Sequence, residues 1–249
     1  MTNQDVVTSR PAAVHGSGAG RRRREWLVTA GLLALTLVPV LAGADRVTQL
    51  ASGGPVTPDN HRFFAMPVPV LVHIFSASTF CVVGAFQFAA GFRRQRPRWH
   101  RIAGRVLVPS GIAAALAGMW MTLFYPLPAS EDTLLNAARL LFGSAMVVSL
   151  TLGFVAILRR DVGSHRAWMM RGYAIGMGTG TQVLTTLPVA IVAGSPEGLE
   201  NALLMIAGWV INLLVVEWIL RRRSNRSASR PRDAGDAPGL LVQAGRVAL

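Results

Sequence analysis

The chain has 249 residues, 51% of them hydrophobic and only 15% charged, with a formal net charge of +13 from 25 Lys and Arg against 12 Asp and Glu. A soluble domain carries about a quarter charged residues, so this composition excludes an ordinary soluble globular protein and points to a membrane protein. Cys81 is the single cysteine, which excludes a disulfide framework, a thiolate metal site and CxxC redox chemistry.

In chain order, residues 1–25 are rich in Ser, Thr, Gly and Ala, end in Arg21, Arg22, Arg23 and Arg24, and read as a disordered basic tail. Six apolar runs follow, at 26–44, 67–91, 102–124, 135–158, 168–192 and 202–220, and together make a transmembrane domain over 26–222. Each is about 19–25 residues long, enough to cross a hydrocarbon core of about 30 Å as a helix rising 1.5 Å per residue. The fold expected is therefore all-α and polytopic, with six transmembrane helices. The first run also reads as a signal segment, because Ala42-Gly43-Ala44 closes it like a signal-peptidase site. Its length is that of a retained helix, the reading adopted here. Residues 223–249 are rich in Ser, Arg, Pro and Gly and read as a second disordered tail.

The second run opens with Pro67 and Pro69, suited to a helix start where a missing N–H costs nothing. It carries His73 about two turns in, roughly 9 Å from its end. A basic stretch at 93–105 follows, with six arginines, Trp99 and His100. A weaker copy occupies 159–171, with Arg159, Arg160, His165, Arg166 and Arg171, and the spacing of about 65 residues predicts two pseudo-repeated hairpins. Stretches this basic are expected as loops outside the hydrocarbon. The third run spaces Gly104, Gly111 and Gly118 seven apart, and the fifth carries Gly172, Gly176 and Gly180 as overlapping GxxxG patterns. Such stripes are read as packing surfaces rather than a ligand groove.

Arginines set the orientation. Arg21 to Arg24, both basic stretches and Arg221 to Arg223 fall on one side, whereas the opposite connections carry Asp45, Asp59, Glu131, Asp132, Glu197 and Glu200 with only Arg46 and Arg62. By the positive-inside rule both termini are cytoplasmic, and the setting is the bacterial cytoplasmic membrane. The positive charge follows topology and lacks an aromatic-interleaved patch, so its partners are expected to be anionic lipid headgroups and not nucleic acid. Arg101, Arg105, Arg166 and Arg171 are the headgroup contacts expected.

Two constellations carry possible chemistry. His73, Arg139 and Gln182 belong to three different helices at compatible outer depths, and ionisable groups at such positions usually face a bundle interior. The first reading is an outward polar pocket. The second is that Arg139 snorkels to the interface beside Asn136 while His73 bonds a carbonyl one turn away. His100 and His165 each open a helix at the basic side; two neutral imidazoles with arginines nearby are what axial ligation of haem b requires. Placed at the interface, the same residues also suit an anchor for phosphate headgroups. Glu217 is expected to pair with Arg221, and Asn212 and Gln87 to bond between helices. No Ser-His-Asp arrangement, HExxH or phosphate loop is present, no metal site is expected, and the pattern demands no cofactor.

Val72-His73-Ile74-Phe75, the run from Arg96 through His100 to Arg105, and His165-Arg166-Ala167-Trp168-Met169-Met170-Arg171 together resemble the bacterial membrane proteins catalogued as domain-of-unknown-function family 2306. The likeness covers about residues 67–193. It implies an integral membrane protein without assigned activity. A four-helix core with histidines also looks distantly like the di-haem b-type cytochromes, although the histidines here do not form two matched pairs. The expected function is thus a non-enzymatic membrane protein with an outward pocket; the alternatives are a b-type haem electron carrier and a small-solute transporter.

Overall fold

The computed structural model describes residues 17–126 and 132–228, and among these residues every regular element is helical. Helix α1, Ser17–Ser52, begins inside the stretch read as a disordered tail and runs without interruption through Ala42-Gly43-Ala44. After a turn closed by Asn60, which accepts from the Thr57 N–H at 2.7 Å and donates to the Pro55 carbonyl at 3.0 Å, comes the short α2, His61–Ala65. Helix α3, Pro67–Ala85, starts on the predicted proline but stops short of Gly91, giving way to a 3-10 turn at Phe86–Phe88 and to α4, Ala90–Gln95. Helix α5 spans Pro97–Phe124 and α6 spans Thr133–Leu158. Helices α7, Val162–Gly176, and α8, Gly178–Ala193, form one span interrupted at Met177, and α9 is Gly198–Ala228. Among the described residues six spans are long and apolar enough to cross a membrane.

The basic stretches are not loops, which corrects the sequence reading. Between Arg93 and Arg105 only Arg96 lies outside a helix, and in the second copy the turn is confined to residues 159–161. The reason is that hydropathy marks where a helix meets lipid, not where it ends. Arginine is a good helix former, and Pro97 at a helix start costs no hydrogen bond. The C-terminal boundary moves likewise: α9 continues past residue 223 to Ala228, and the rest of the expected tail lies outside the described residues.

Helices α3 with α5, α6 with α7, and α8 with α9 are the closest pairs, and α1 lies against α3. The core forms around Phe80, Leu107, Met146, Leu150, Tyr173 and Ile175. Two of the striped glycines make room for Phe80. A Cβ on Gly111 would come within 2.7 Å of the Phe80 ring, and one on Gly176 would meet the same ring from the other side at 2.7 Å. Phe80 is thereby clasped between α5 and α7. Not every striped glycine is used this way, because a Cβ on Gly104 would meet nothing within 4 Å.

Each end of the bundle is knitted by long-range contacts. At the arginine-rich end Glu25 of α1 accepts from the Gly91 N–H at 2.6 Å, and Trp26 and Trp99 flank Phe92 at ring distances of 6.5 and 4.9 Å. At the other end the Tyr125 hydroxyl donates to the Met66 carbonyl at 2.5 Å, and Arg62 donates to the Pro126 carbonyl at 3.3 Å.

Candidate functional site

A cavity of about 340 Å³ opens between α3, α5, α6, the α7–α8 span and α9. His73 from α3, Arg139 from α6 and Gln182 from α8 all line it. Arg62 and Tyr125 stand at the end where the chain leaves the spans. The deeper wall is apolar, with Phe80, Met146, Ile175 and Gly176. Phe80 is thirteen residues after Pro67, so that wall lies about 20 Å along the helix from its start.

His73 places Nδ1 2.8 Å from the Ala114 carbonyl oxygen. A carbonyl only accepts, so Nδ1 carries the hydrogen and Nε2 is the lone-pair nitrogen. The acceptor belongs to α5, not to a carbonyl one turn away on the same helix, so the bond ties α3 to α5. Gly118, one turn beyond Ala114, accommodates the ring, since a Cβ there would lie 3.3 Å from the histidine Cε1. The heptad glycine and the buried histidine are one feature.

Arg139 donates to Asn136 Oδ1 at 3.1 Å while also lining the cavity, so elements of both sequence readings are present together. Gln182 is 4% exposed, and its amide N–H donates to the Met205 carbonyl at 2.9 Å. Beside it Thr181 donates to Asn212 at 2.8 Å, Thr185 to the Leu204 carbonyl at 2.8 Å, and Asn212 to the Ala174 carbonyl at 3.1 Å. These polar groups largely fasten α9 to the α7–α8 span. Where that span breaks, the Gly176 carbonyl accepts from the Cys81 thiol at 3.6 Å, so side chains take up carbonyls around the break.

Sequence reasoning missed Arg62. The sequence marks it only as one of two arginines on the acidic side, which is the available signal. Its guanidinium lies 4.9 Å over the Phe63 ring, and its Nε–H is buried without a partner among the described residues. Tyr125 follows the last residue of its span; burial pushes its phenol up, so it remains a donor.

His100 and His165 lie elsewhere, at the arginine-rich end, and neither lines the cavity. His100 Nδ1 bonds to Gln87 Oε1 and His165 Nδ1 to the Gly153 carbonyl at 2.8 Å. Both Nδ1 atoms therefore donate, which leaves two Nε2 lone pairs, the tautomer a ligating imidazole adopts. Gln87 Nε2 is buried beside His100 without a partner among the described residues. Among the described residues no group of three or more His, Cys, Asp or Glu could hold a metal ion.

Arg101, Arg105 and Arg166 are exposed at that end. Arg171 differs from them: its Nε lies 2.5 Å from Glu217 Oε1, its Nη2 3.1 Å from Oε2, and the guanidinium stacks 4.8 Å over Trp168. Glu217 therefore makes its bidentate bond across helices and not with Arg221 one turn away, and Arg171, expected at headgroups, is engaged by it. An i,i+4 rule cannot find a partner 46 positions off.

A family model described as a predicted membrane protein (DUF2306) matches residues 70–220, reaching into α9 and thus beyond the four helices that carry the resemblance. Comparison with curated proteins finds no match, and neither does comparison with solved structures.

Proposed function

The chain belongs to the DUF2306 family of predicted membrane proteins, and we propose that it is a non-enzymatic, multi-pass protein of the bacterial cytoplasmic membrane that binds a small molecule in the cavity around His73, Arg139 and Gln182. The observation that carries this is one cavity with polar groups from three helices near one end and an apolar wall at the other. Its volume, about 340 Å³, falls at the low end of the roughly 300–1,000 Å³ range of small-molecule sites. With the arginine-rich end cytoplasmic, the cavity is entered from outside, and Arg101, Arg105 and Arg166 meet anionic headgroups on the inner face. The test is native mass spectrometry of the detergent-purified protein. A noncovalent small-molecule adduct is expected on the wild type and is lost when Ala77→Trp fills the cavity, with helicity retained. Identical spectra without adduct, or an adduct that survives the filling, overturn the reading.

A second reading is supported by the paired histidine tautomers: haem b held by the Nε2 atoms of His100 and His165. It requires a Soret band that disappears in both His100→Ala and His165→Ala; a colourless preparation from haem-replete cells sinks it. Transport, a third reading, calls for paired breaks in two spans, of which Met177 supplies one.

A further inference from the structure

The lining of the cavity restricts what can occupy it. Arg62 and Arg139 contribute two positive charges, and no acidic side chain lines the cavity among the described residues. Arg62 brings a guanidinium that can only donate, with one nitrogen already on the Pro126 carbonyl. His73 brings the opposite: with Nδ1 committed to the Ala114 carbonyl, Nε2 can only accept a hydrogen or take up a proton. A purely anionic head satisfies the arginine but leaves its own lone pairs against that of Nε2. A neutral alcohol satisfies the histidine but leaves the guanidinium without a charged partner. One head does both: a carboxylic acid, whose oxygens accept from Arg62 while its O–H donates to Nε2. Carboxylic acid on neutral imidazole and carboxylate on imidazolium contain the same atoms and the same proton, so the choice between them does not alter the stoichiometry. The deeper wall of Phe80, Met146 and Ile175 then takes an apolar body.

Resting on the cavity reading above, we propose that the occupant is a small amphiphilic carboxylic acid, bound with one proton, its head in the polar end of the cavity that Arg62 and His73 line. The other titratable or charged groups around His73 are Cys81 on its own helix, Tyr125 at the end of α5 and Arg139 on α6; the α8 and α9 walls present Thr179, Gln182, Met205 and Trp209, none of which titrates. From α1, Arg46 lies 4.7 Å over the Phe63 ring, next to Asp45 in sequence. None of these supplies a second lone-pair nitrogen.

Proton uptake fixes the pH dependence. Between pH 7 and 8 a free fatty acid is ionised, since a carboxyl titrates at about 4–5, and binding one proton with it weakens affinity about tenfold per pH unit as pH rises. The experiment measures radiolabelled decanoate and decanol on the full chain in zwitterionic nanodiscs, with empty discs subtracted. Expected is saturable decanoate binding with that tenfold slope, tighter than decanol. Arg62→Gln should weaken decanoate at least tenfold while leaving decanol unchanged, and His73→Gln, whose amide can still donate to the Ala114 carbonyl, should flatten the slope. Equal binding of acid and alcohol, a flat wild-type slope, or a slope that survives His73→Gln overturns the acid-head assignment while leaving the cavity reading intact. Failure of both probes to bind above empty discs counts against the cavity itself.

Discussion

At the level of single residues, the turn between α6 and α7 shows how much can hang on one backbone angle. Arg160 has φ of 61°, and around it the Asp161 N–H reaches the Ala156 carbonyl at 2.9 Å and the Arg160 N–H the Ile157 carbonyl at 3.0 Å. This is a Schellman closure with arginine in the left-handed position that glycine usually fills. The next residue, Asp161, caps α7 by accepting from the Ser164 N–H at 2.9 Å, and its bonds to Ser164 hold its carboxyl below the ordinary range. A left-handed conformation costs a non-glycine residue roughly 1 kcal/mol, partly offset by the greater freedom of glycine in the unfolded chain. Arg160→Gly should therefore raise stability by about 0.5 kcal/mol, read as a higher midpoint in thermal unfolding of the detergent-solubilised protein; a lower midpoint means that the arginine side chain contributes more than its strain. That His73, Arg139 and Gln182 line one cavity follows from their similar positions along their helices, which counting residues at a fixed rise gives. Rotation about the helix axis was not legible, since apolar runs in lipid are apolar all round. That is why the sequence could not say that Gln182 spends its amide on α9, or that Arg62 reaches the cavity from outside any span.

At the level of helices, the existence and order of the six spans could be read from hydropathy, but their ends could not, because the arginine-rich turns at residues 93–105 and 159–171 remain helical. Packing partners were legible only where they depend on small size. The glycine pattern announced close approach, and Gly111 and Gly176 do clasp Phe80. Charge pairing across helices was not legible: Glu217 had a candidate one turn away and chose Arg171. The Arg171 and Glu217 side chains retain 29% and 35% of their exposure, so the pair is neither at the surface nor in the core. Coupling energies for contacting residues run from about 0.5 to 3 kcal/mol, and a bidentate geometry favours the upper half. A double-mutant cycle with Arg171→Gln and Glu217→Gln, followed by unfolding in mixed micelles, should give a coupling of about 1–2 kcal/mol. Coupling indistinguishable from zero would show that α9 is held without this pair, by its other contacts such as the Gln182, Thr185 and Asn212 bonds and the Phe142–Trp209 stack.

For the molecule as a whole, the two arginine-rich turns share one device. His100 bonds back to Gln87, and His165 bonds back to Gly153, spacings of 13 and 12 residues. A repeat of hairpins would leave such a trace, but a histidine opening one helix can reach the end of the previous one without any symmetry, so the trace alone establishes no repeat. Charge asymmetry is the stronger constraint. Arg62 stands with the cavity at one end of the bundle, while Arg94, Arg98, Arg159 and Arg222 are exposed at the other. Arginines flanking the ends of spans resist export, so the second end should be cytoplasmic and the cavity mouth external. Two single-cysteine variants in a Cys81→Ser background decide it, because Val56 is exposed at the cavity end and Arg94 at the opposite end. A membrane-impermeant maleimide should label Val56→Cys in intact cells and Arg94→Cys only after permeabilisation. One arginine among so many leaves the bias intact, so the probe does not itself reverse the insertion. The reverse labelling pattern would turn the cavity towards the cytoplasm, and a ligand entering at Arg62 would then come from inside the cell.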